Sequence, residues 1–167
     1  MPRPRAVWYD ARMAYWLFKS EPDVFGIDRL ERDGRTEWSG VRNFQARNNM
    51  RAMHVGDLGF FYHSSVKPPG IVGICKVVRE AYPDFTQFEK GGEYEDPTSR
   101  LEHPKWYMVD VAFVRAFPRM LTLDELRTIP ELAEMPLLRR GQRLSVQPVS
   151  ESEWNTILTR FKHSDTA

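Results

Sequence analysis

The stretch TEWSGVRNFQARNNMRAM, Thr36 to Met53, carries Arg42, Arg47 and Arg51, and no acid lies between Glu37 and Asp57. On a helix Arg47 and Arg51 stand one turn apart on the same face, where like charges repel by roughly a few tenths of a kcal/mol. Either distant carboxylates and solvent absorb that repulsion, or the face meets an anion such as a phosphate backbone. Arg139, Arg140 and Arg143 form a second basic cluster. Two tryptophans add a different chemistry. Trp38, in EWSG, stands between polar residues with no apolar period around it, and Trp106 stands just after the loop exit at Pro104 and Lys105, both at loop–strand junctions. Flat rings at such places can stack on a base, a contact worth ~1–3 kcal/mol. Asn43, Ser20, Ser64 and Ser145 can read a base edge. Their structural alternatives are plain: Asn43 caps the helix that follows it, and the serines satisfy turn backbone. Most of the other aromatics, Phe44, Phe60, Phe61, Tyr62 and Tyr82 among them, read as core.

Other chemistries lack their residues. There is no glycine-rich phosphate loop and no glycine–serine nucleophile elbow. His54, His63, His103 and His163 are scattered without metal-ligand spacing. His63 and Ser64 are neighbours on a strand, so they point to opposite faces and do not make a catalytic pair. A lone cysteine, Cys75 in GIVGICKVV, can form neither an internal disulfide nor a zinc site and reads as a small buried hydrophobe. With 41% hydrophobic and 28% charged residues the composition is that of a soluble globular domain. The formal net charge is +1, so any anion site is a local patch. No apolar run approaches the ~20 residues that span a bilayer, and MPRPRAVWYDAR lacks the apolar core of a secretory signal.

These groups must be positioned by short mixed elements. AYWLFK reads as a strand ending at SEP, and GIDRLERDG as a helical turn closed by Gly34. Asn43 to Met53 suits a helix with Ala46, Met50 and Met53 on one side and Phe44, Arg47 and Arg51 on another. LGFFYHS and GIVGICKVVREAYP read as strands, the second with glycines that mark a bulge or a close backbone approach. DFTQFEKGGEYEDPTSRLEHP is a long polar loop, and KWYMVDVAFVRAFP alternates as a strand. Thr122 with Glu125, and Ser150 with Glu153, are capping boxes. No repeat or linker divides the chain. Residues 1–13 read as a disordered extension, with Met13 an alternative start, and 14–163 as one domain. Strands that can pair antiparallel, mixed with helices, predict an α+β fold built on a small curled sheet or barrel.

Taken in order, WLFKSEP, WSGVRNFQARNNMRAM, GDLGFFYHS, PGIVGICKVVREAYPD, PKWYMVDVAF and QRLSVQPVSESEW closely resemble the EVE domain of the thymocyte nuclear protein family, from Tyr15 to about Leu158. The resemblance implies a PUA-like curled mixed β-barrel flanked by helices, related to YTH readers. It implies a non-catalytic module that takes a modified base, a modified cytosine in DNA or a modified RNA base, into an aromatic-lined pocket. Carried over by motif, KSEP supplies Lys19, Ser20 and Pro22 near the pocket mouth. WSGVRN supplies Trp38 as the stacking wall, with Arg42 and Asn43. FYHS supplies Tyr62 and Ser64, AYPD supplies Tyr82 and Asp84, and QRLSVQP supplies Arg143 and Ser145. Arg42, Arg47, Arg51 and Arg143 are the expected phosphate contacts. No cofactor or metal is implied, the expected partner is DNA or RNA carrying a modified base, and the oligomeric state is open. The expected compartment is the cytoplasm of a bacterium, or the nucleus if the source is eukaryotic. Two alternatives stay open: an enzyme acting on a modified nucleotide or small molecule in the same pocket, with Asp84, His63 or Glu21 as its titratable group, and a protein-interaction module.

Overall fold

A computed structural model describes residues 13–165 of the chain, with side chains as far as Phe161. The extension expected over residues 1–13 lies, apart from Met13, outside the described residues. Six strands form one mixed sheet: β1 (Tyr15–Ser20), β2 (Arg35–Glu37), β3 (Leu58–His63), β4 (Gly70–Pro83), β5 (Tyr107–Thr122) and β6 (Val146–Val149), in the order β2-β5-β4-β3-β1-β6. Among the described residues four α-helices accompany it: α1 (Ile27–Asp33), α2 (Phe44–Arg51), α3 (Leu123–Leu126) and α4 (Glu151–Asp165). The fold is α+β, as the mixed order of elements predicts. Not every pairing is antiparallel, however. β1 and β3 run parallel, Tyr15 opposite Leu58 through Ser20 opposite His63, because α1, β2 and α2 lie between them and return the chain to the same end of the sheet.

Alternation along the strands feeds two cores. Leu17, Phe60, Tyr62, Ile71, Phe117 and Leu121 pack beneath α3 and α4, with Trp154, Ile157 and Phe161. Trp16, Phe18, Phe61, Cys75, Val77, Val109 and Val111 pack with Leu30 of α1 and with Ala46 and Met50 of α2. Neighbouring residues such as Phe60 and Phe61 thus serve opposite faces, as a period of two requires. Cys75 is fully enclosed, and burial pushes its thiol up to about 12. The glycines of β4 admit neighbouring backbone: a Cβ on Gly73 would stand 2.4 Å from the Arg115 carbonyl oxygen, and one on Gly70 2.5 Å from that of Leu121. The register against β5 shifts between Ile71 and Gly73.

The helix ends follow local rules with one exception. Ser150 Oγ accepts from Glu153 N–H at 3.1 Å and Glu153 Oε1 accepts from Ser150 N–H at 2.9 Å, a complete capping box on α4. Thr122 caps α3 in the same way at 3.1 Å, but the Glu125 carboxylate turns to Arg119 at 2.9 Å, and the helix stops after four residues. No helix among the described residues is long and apolar enough to cross a membrane.

Candidate nucleic-acid interface

The end of β1, the segment leading into α1, the Thr36–Arg42 stretch and the long loop between β4 and β5 converge on a cleft of about 560 Å³. Lys19, Ser20, Trp38, Arg42 and Ser145 all line it, as do Phe25, Gly40 and Tyr94. Its lining carries three cations, Lys19, Arg29 and Arg42, and three acids, Glu21, Glu37 and Glu93, so the charges of the lining balance and the cleft is not basic.

Each wall is held by identifiable contacts. Trp38 is 9% exposed and packs edge-on against Phe18 and Phe61, at 5.1 and 5.7 Å between ring centroids. It presents only a margin of its ring to the cleft. Lys19 hands its backbone N–H to the Ser145 carbonyl at 2.8 Å, joining β1 to the end of the basic turn. Its Nζ donates over a long 3.4 Å to the Gln142 carbonyl, and burial lowers its pKa. Ser20 Oγ is committed, donating to the Phe25 carbonyl at 2.6 Å. No hydrogen bond of the Ser145 hydroxyl is found among the described residues.

Of the expected phosphate contacts, Arg42 is the one most fully engaged within the protein. All five of its N–H groups are engaged: Nε and Nη2 donate to the Tyr94 carbonyl at 3.2 and 2.8 Å, Nη1 to the Val41 carbonyl at 2.9 Å and to Asp84 Oδ2 at 3.1 Å, and Nη2 to Thr86 Oγ1 at 3.0 Å. A saturated guanidinium offers no free fork to a phosphate. Arg42 instead ties the long loop to the wall that carries Trp38. Asp84 is the buried end of the same device, 0% exposed, and accepts from Gly40 N–H at 2.8 Å, from Thr86 and from Arg42. It shapes the cleft without lining it. Gly40 has φ +84, and a Cβ there would stand 2.9 Å from Tyr94 Cζ, so the backbone turns left-handed where the tyrosine ring leans on it.

The other expected pocket residues lie elsewhere. Asn43 Oδ1 accepts from Ala46 N–H at 2.9 Å and caps α2, the structural alternative set out for it. Tyr62 points into the core beneath α4, and Ser64 joins Ser20 through a backbone hydrogen bond of 2.9 Å. Tyr82 donates to Asp110 Oδ1 at 2.6 Å; burial, helped by that hydrogen bond, pushes its hydroxyl up to about 12, and Pro22 sits in the turn after β1. His63 faces the cleft side, where its Nε2 accepts from Ile27 N–H at 3.1 Å at the start of α1. Among the phosphate candidates, Arg51 and Arg143 are exposed, and Arg47 keeps two N–H groups after donating to the Lys105 carbonyl and Asn48. Tyr94 and Phe25 carry no sequence signal as cleft residues. Tyr94 stands in a polar loop whose length alone suggested a function.

Among the described residues no group of three or more His, Cys, Asp and Glu side chains could hold a metal ion. No hydrogen bond joins Lys19 to any of the three cleft glutamates among those residues.

Thymocyte nuclear protein 1 of Rattus norvegicus is 48% identical over 164 residues, which cover 87% of this chain and 72% of that protein. A crystal structure of human THYN1 protein in complex with 5-methylcytosine containing DNA superposes with a TM-score of 0.84 at 45% identity, covering 89% of this chain and 98% of that one. The YTH domain of Zygosaccharomyces rouxii MRB1, in complex with N6-methyladenosine RNA, shares the fold with a TM-score of 0.52 at 12% identity over 90% of this chain and 87% of that one. The EVE domain model matches residues 14–160, and the chain belongs to the EVE domain family.

Proposed function

We propose that this chain is a non-catalytic nucleic-acid-binding module that reads a modified base, with modified cytosine in DNA the first candidate and a modified RNA base the second. The observation that supports it most is the balanced, aromatic-edged cleft formed where KSEP, WSGVR and Ser145 meet. With its lining charges balanced, the cleft has no net attraction for a phosphate and admits a neutral base, so the base enters and its phosphates stay at the rim. The crystal structure of the human relative with 5-methylcytosine DNA gives the reading its ligand class.

In this mechanism a base leaves its stack, at a cost of a few kcal/mol, and slides against the margin of Trp38 and the Tyr94 ring. Lys19 Nζ, held by one long hydrogen bond and lying 6.0 Å from the Tyr62 ring centroid, donates to an acceptor on the base edge. The Ser145 hydroxyl completes the reading. A methyl mark is sensed by filling space, worth ~0.8 kcal/mol, hence about fourfold in affinity. A polar mark satisfied by a hydrogen bond is discriminated more sharply.

The test is binding of short single- and double-stranded oligonucleotides bearing cytosine, 5-methylcytosine or 5-hydroxymethylcytosine, at low and moderate salt. One marked base is expected to bind more tightly, and the preference to shrink in Lys19→Met and in Trp38→Phe. Equal affinity for marked and unmarked DNA and RNA would sink the reading. An absence of oligonucleotide binding at any salt would favour a protein-interaction module. Turnover of a modified nucleoside would favour an enzyme.

A further inference from the structure

One surface is not used by the cleft. Phe44 opens α2 and is 55% exposed although large and apolar. Its ring stacks on that of Trp106 with centroids 4.7 Å apart and planes at 19°. The Arg47 guanidinium carbon stands 4.8 Å from the Phe44 centroid, that of Arg51 4.6 Å from the Tyr107 centroid, and that of Arg42 5.4 Å from the Trp106 centroid. Phe44, Arg47 and Arg51 are spaced i, i+3, i+7 and so form one stripe of α2, about 10 Å long at 1.5 Å per residue. No carboxylate pairs with Arg47 or Arg51 among the described residues. The Phe44 ring has an indole behind it and the Arg47 guanidinium over it; that guanidinium has no counter-ion among the described residues, and its move onto a phosphate opens the ring to a base.

Its position relative to the cleft gives it a role. Arg42 lines the cleft and also lies over Trp106, whose stacked neighbour is Phe44. The exposed ring therefore stands two contacts from the cleft rim, within the reach of a neighbouring nucleotide on the same strand.

We propose that Phe44 is a stacking platform for the base that flanks the captured one, and that Arg47 and Arg51 hold the phosphates of that flank. This rests on the base-reading cleft and adds to it a second subsite, for an unstacked flanking nucleotide. The protein then grips a strand rather than a nucleoside, and its affinity depends on a flanking base of any identity, because every base has a face to stack.

The experiment is an affinity cycle on the full chain. Wild type, Phe44→Ala and Phe44→Trp are each titrated with a single-stranded oligonucleotide containing one 5-methylcytosine, with its unmethylated counterpart, and with versions in which the nucleotide on the 5′ or the 3′ side of that cytosine is abasic. Phe44→Ala is expected to weaken binding about 5- to 160-fold. The abasic flank on one side should weaken wild type by a similar factor, and the two losses should not add. Phe44→Trp should bind like wild type. Arg47→Gln with Arg51→Gln should reduce the slope of log K against log salt by about 1.4. Unchanged affinity in Phe44→Ala would overturn the platform, and so would an equal loss on intact and abasic strands, which would mark a structural defect or a surface for a protein partner. Failure of the cleft reading looks different. Marked and unmarked strands would then bind alike while the Phe44 and abasic losses remained. If instead 5-methylcytidine alone bound and Phe44→Ala left strand affinity unchanged, the cleft would stand and the platform would fall.

Discussion

Arg42 and Asp84 are 42 residues apart in the chain and joined at 3.1 Å in the fold. That pairing decides what both residues do. An arginine beside an aromatic in an acid-free run has the chemistry of a phosphate ligand, but this one is turned inward by a carboxylate at zero exposure. Replacing Asp84 by Asn keeps the shape and removes the charge. The guanidinium, about one-fifth exposed, loses its counter-ion, and the expected cost is about 1–3 kcal/mol. The melting temperature should fall by several degrees, and the Tyr94 loop should loosen from the wall of the cleft. Nucleoside binding should therefore weaken in Asp84→Asn, although Asp84 touches no ligand. A variant with wild-type melting and wild-type nucleoside affinity would show that the loop is held by something else. The residue types of Asp84 and Arg42 are legible in the sequence but these roles are not, because the contact that joins the two is not local. Trp38 is a second instance. Polar neighbours in EWSG suggest an exposed ring, whereas Phe18 and Phe61 from two other strands enclose it.

Helices announce themselves locally and strands less so. The side of α2 carrying Ala46, Met50 and Met53 is buried as its spacing predicts, and Asn43 caps it. Asn43→Ala should cost ~1 kcal/mol and lower the melting temperature by about 2–4 °C. If Asn43 serves only as a cap, thermal denaturation will show that loss while the ratio of marked to unmarked affinity stays unchanged. A changed ratio would return Asn43 to the base-reading set. β2 is illegible by contrast. Three residues, Arg35, Thr36 and Glu37, have no apolar alternation and become a strand only because β5 is long enough to offer Asp110 to Ala112 as partners. The start of α1 carries a pH response. His63 Nε2 must be unprotonated to accept from Ile27 N–H, and burial lowers its pKa below 6.5 despite the nearby Asp28. Below 6.5 the unfolded chain then binds a proton that the folded chain resists, so stability is present above that pH and is lost as pH falls through the lowered value. His63→Gln should flatten the melting temperature between pH 7 and pH 5.5. An unaltered slope would assign the response to other groups.

Across the whole molecule the charges are partitioned rather than accumulated. The formal net charge is +1, and the cleft balances three acids against three cations. Arginines without an ion-pair partner among the described residues, all exposed except the half-buried Arg47, stand on either side of the cleft in sequence. Arg47 and Arg51 lie on α2, just after Arg42, and Arg139, Arg140 and Arg143 lie on the turn around Gly141, just before Ser145. Arg42 and Ser145 both line the cleft, and Lys19 ties the turn to it through Gln142. A strand delivering one base to the cleft would meet cations as it enters and as it leaves. Affinity should then fall steeply with salt although the protein is nearly neutral, because screening acts on the local contacts and not on net charge. Converting Arg139, Arg140 and Arg143 together to Gln is expected to reduce the salt slope by up to about 2 on single strands, at ~0.7 per phosphate contact. It should also weaken marked and unmarked strands by the same factor, since phosphate contacts carry no base information. Titrations at four salt concentrations with both strands measure the two effects together. A slope equal to wild type would remove the turn from the interface. A slope that falls together with the marked-to-unmarked ratio would mean that the turn reaches the base through Lys19 or Ser145 and sets specificity as well as affinity.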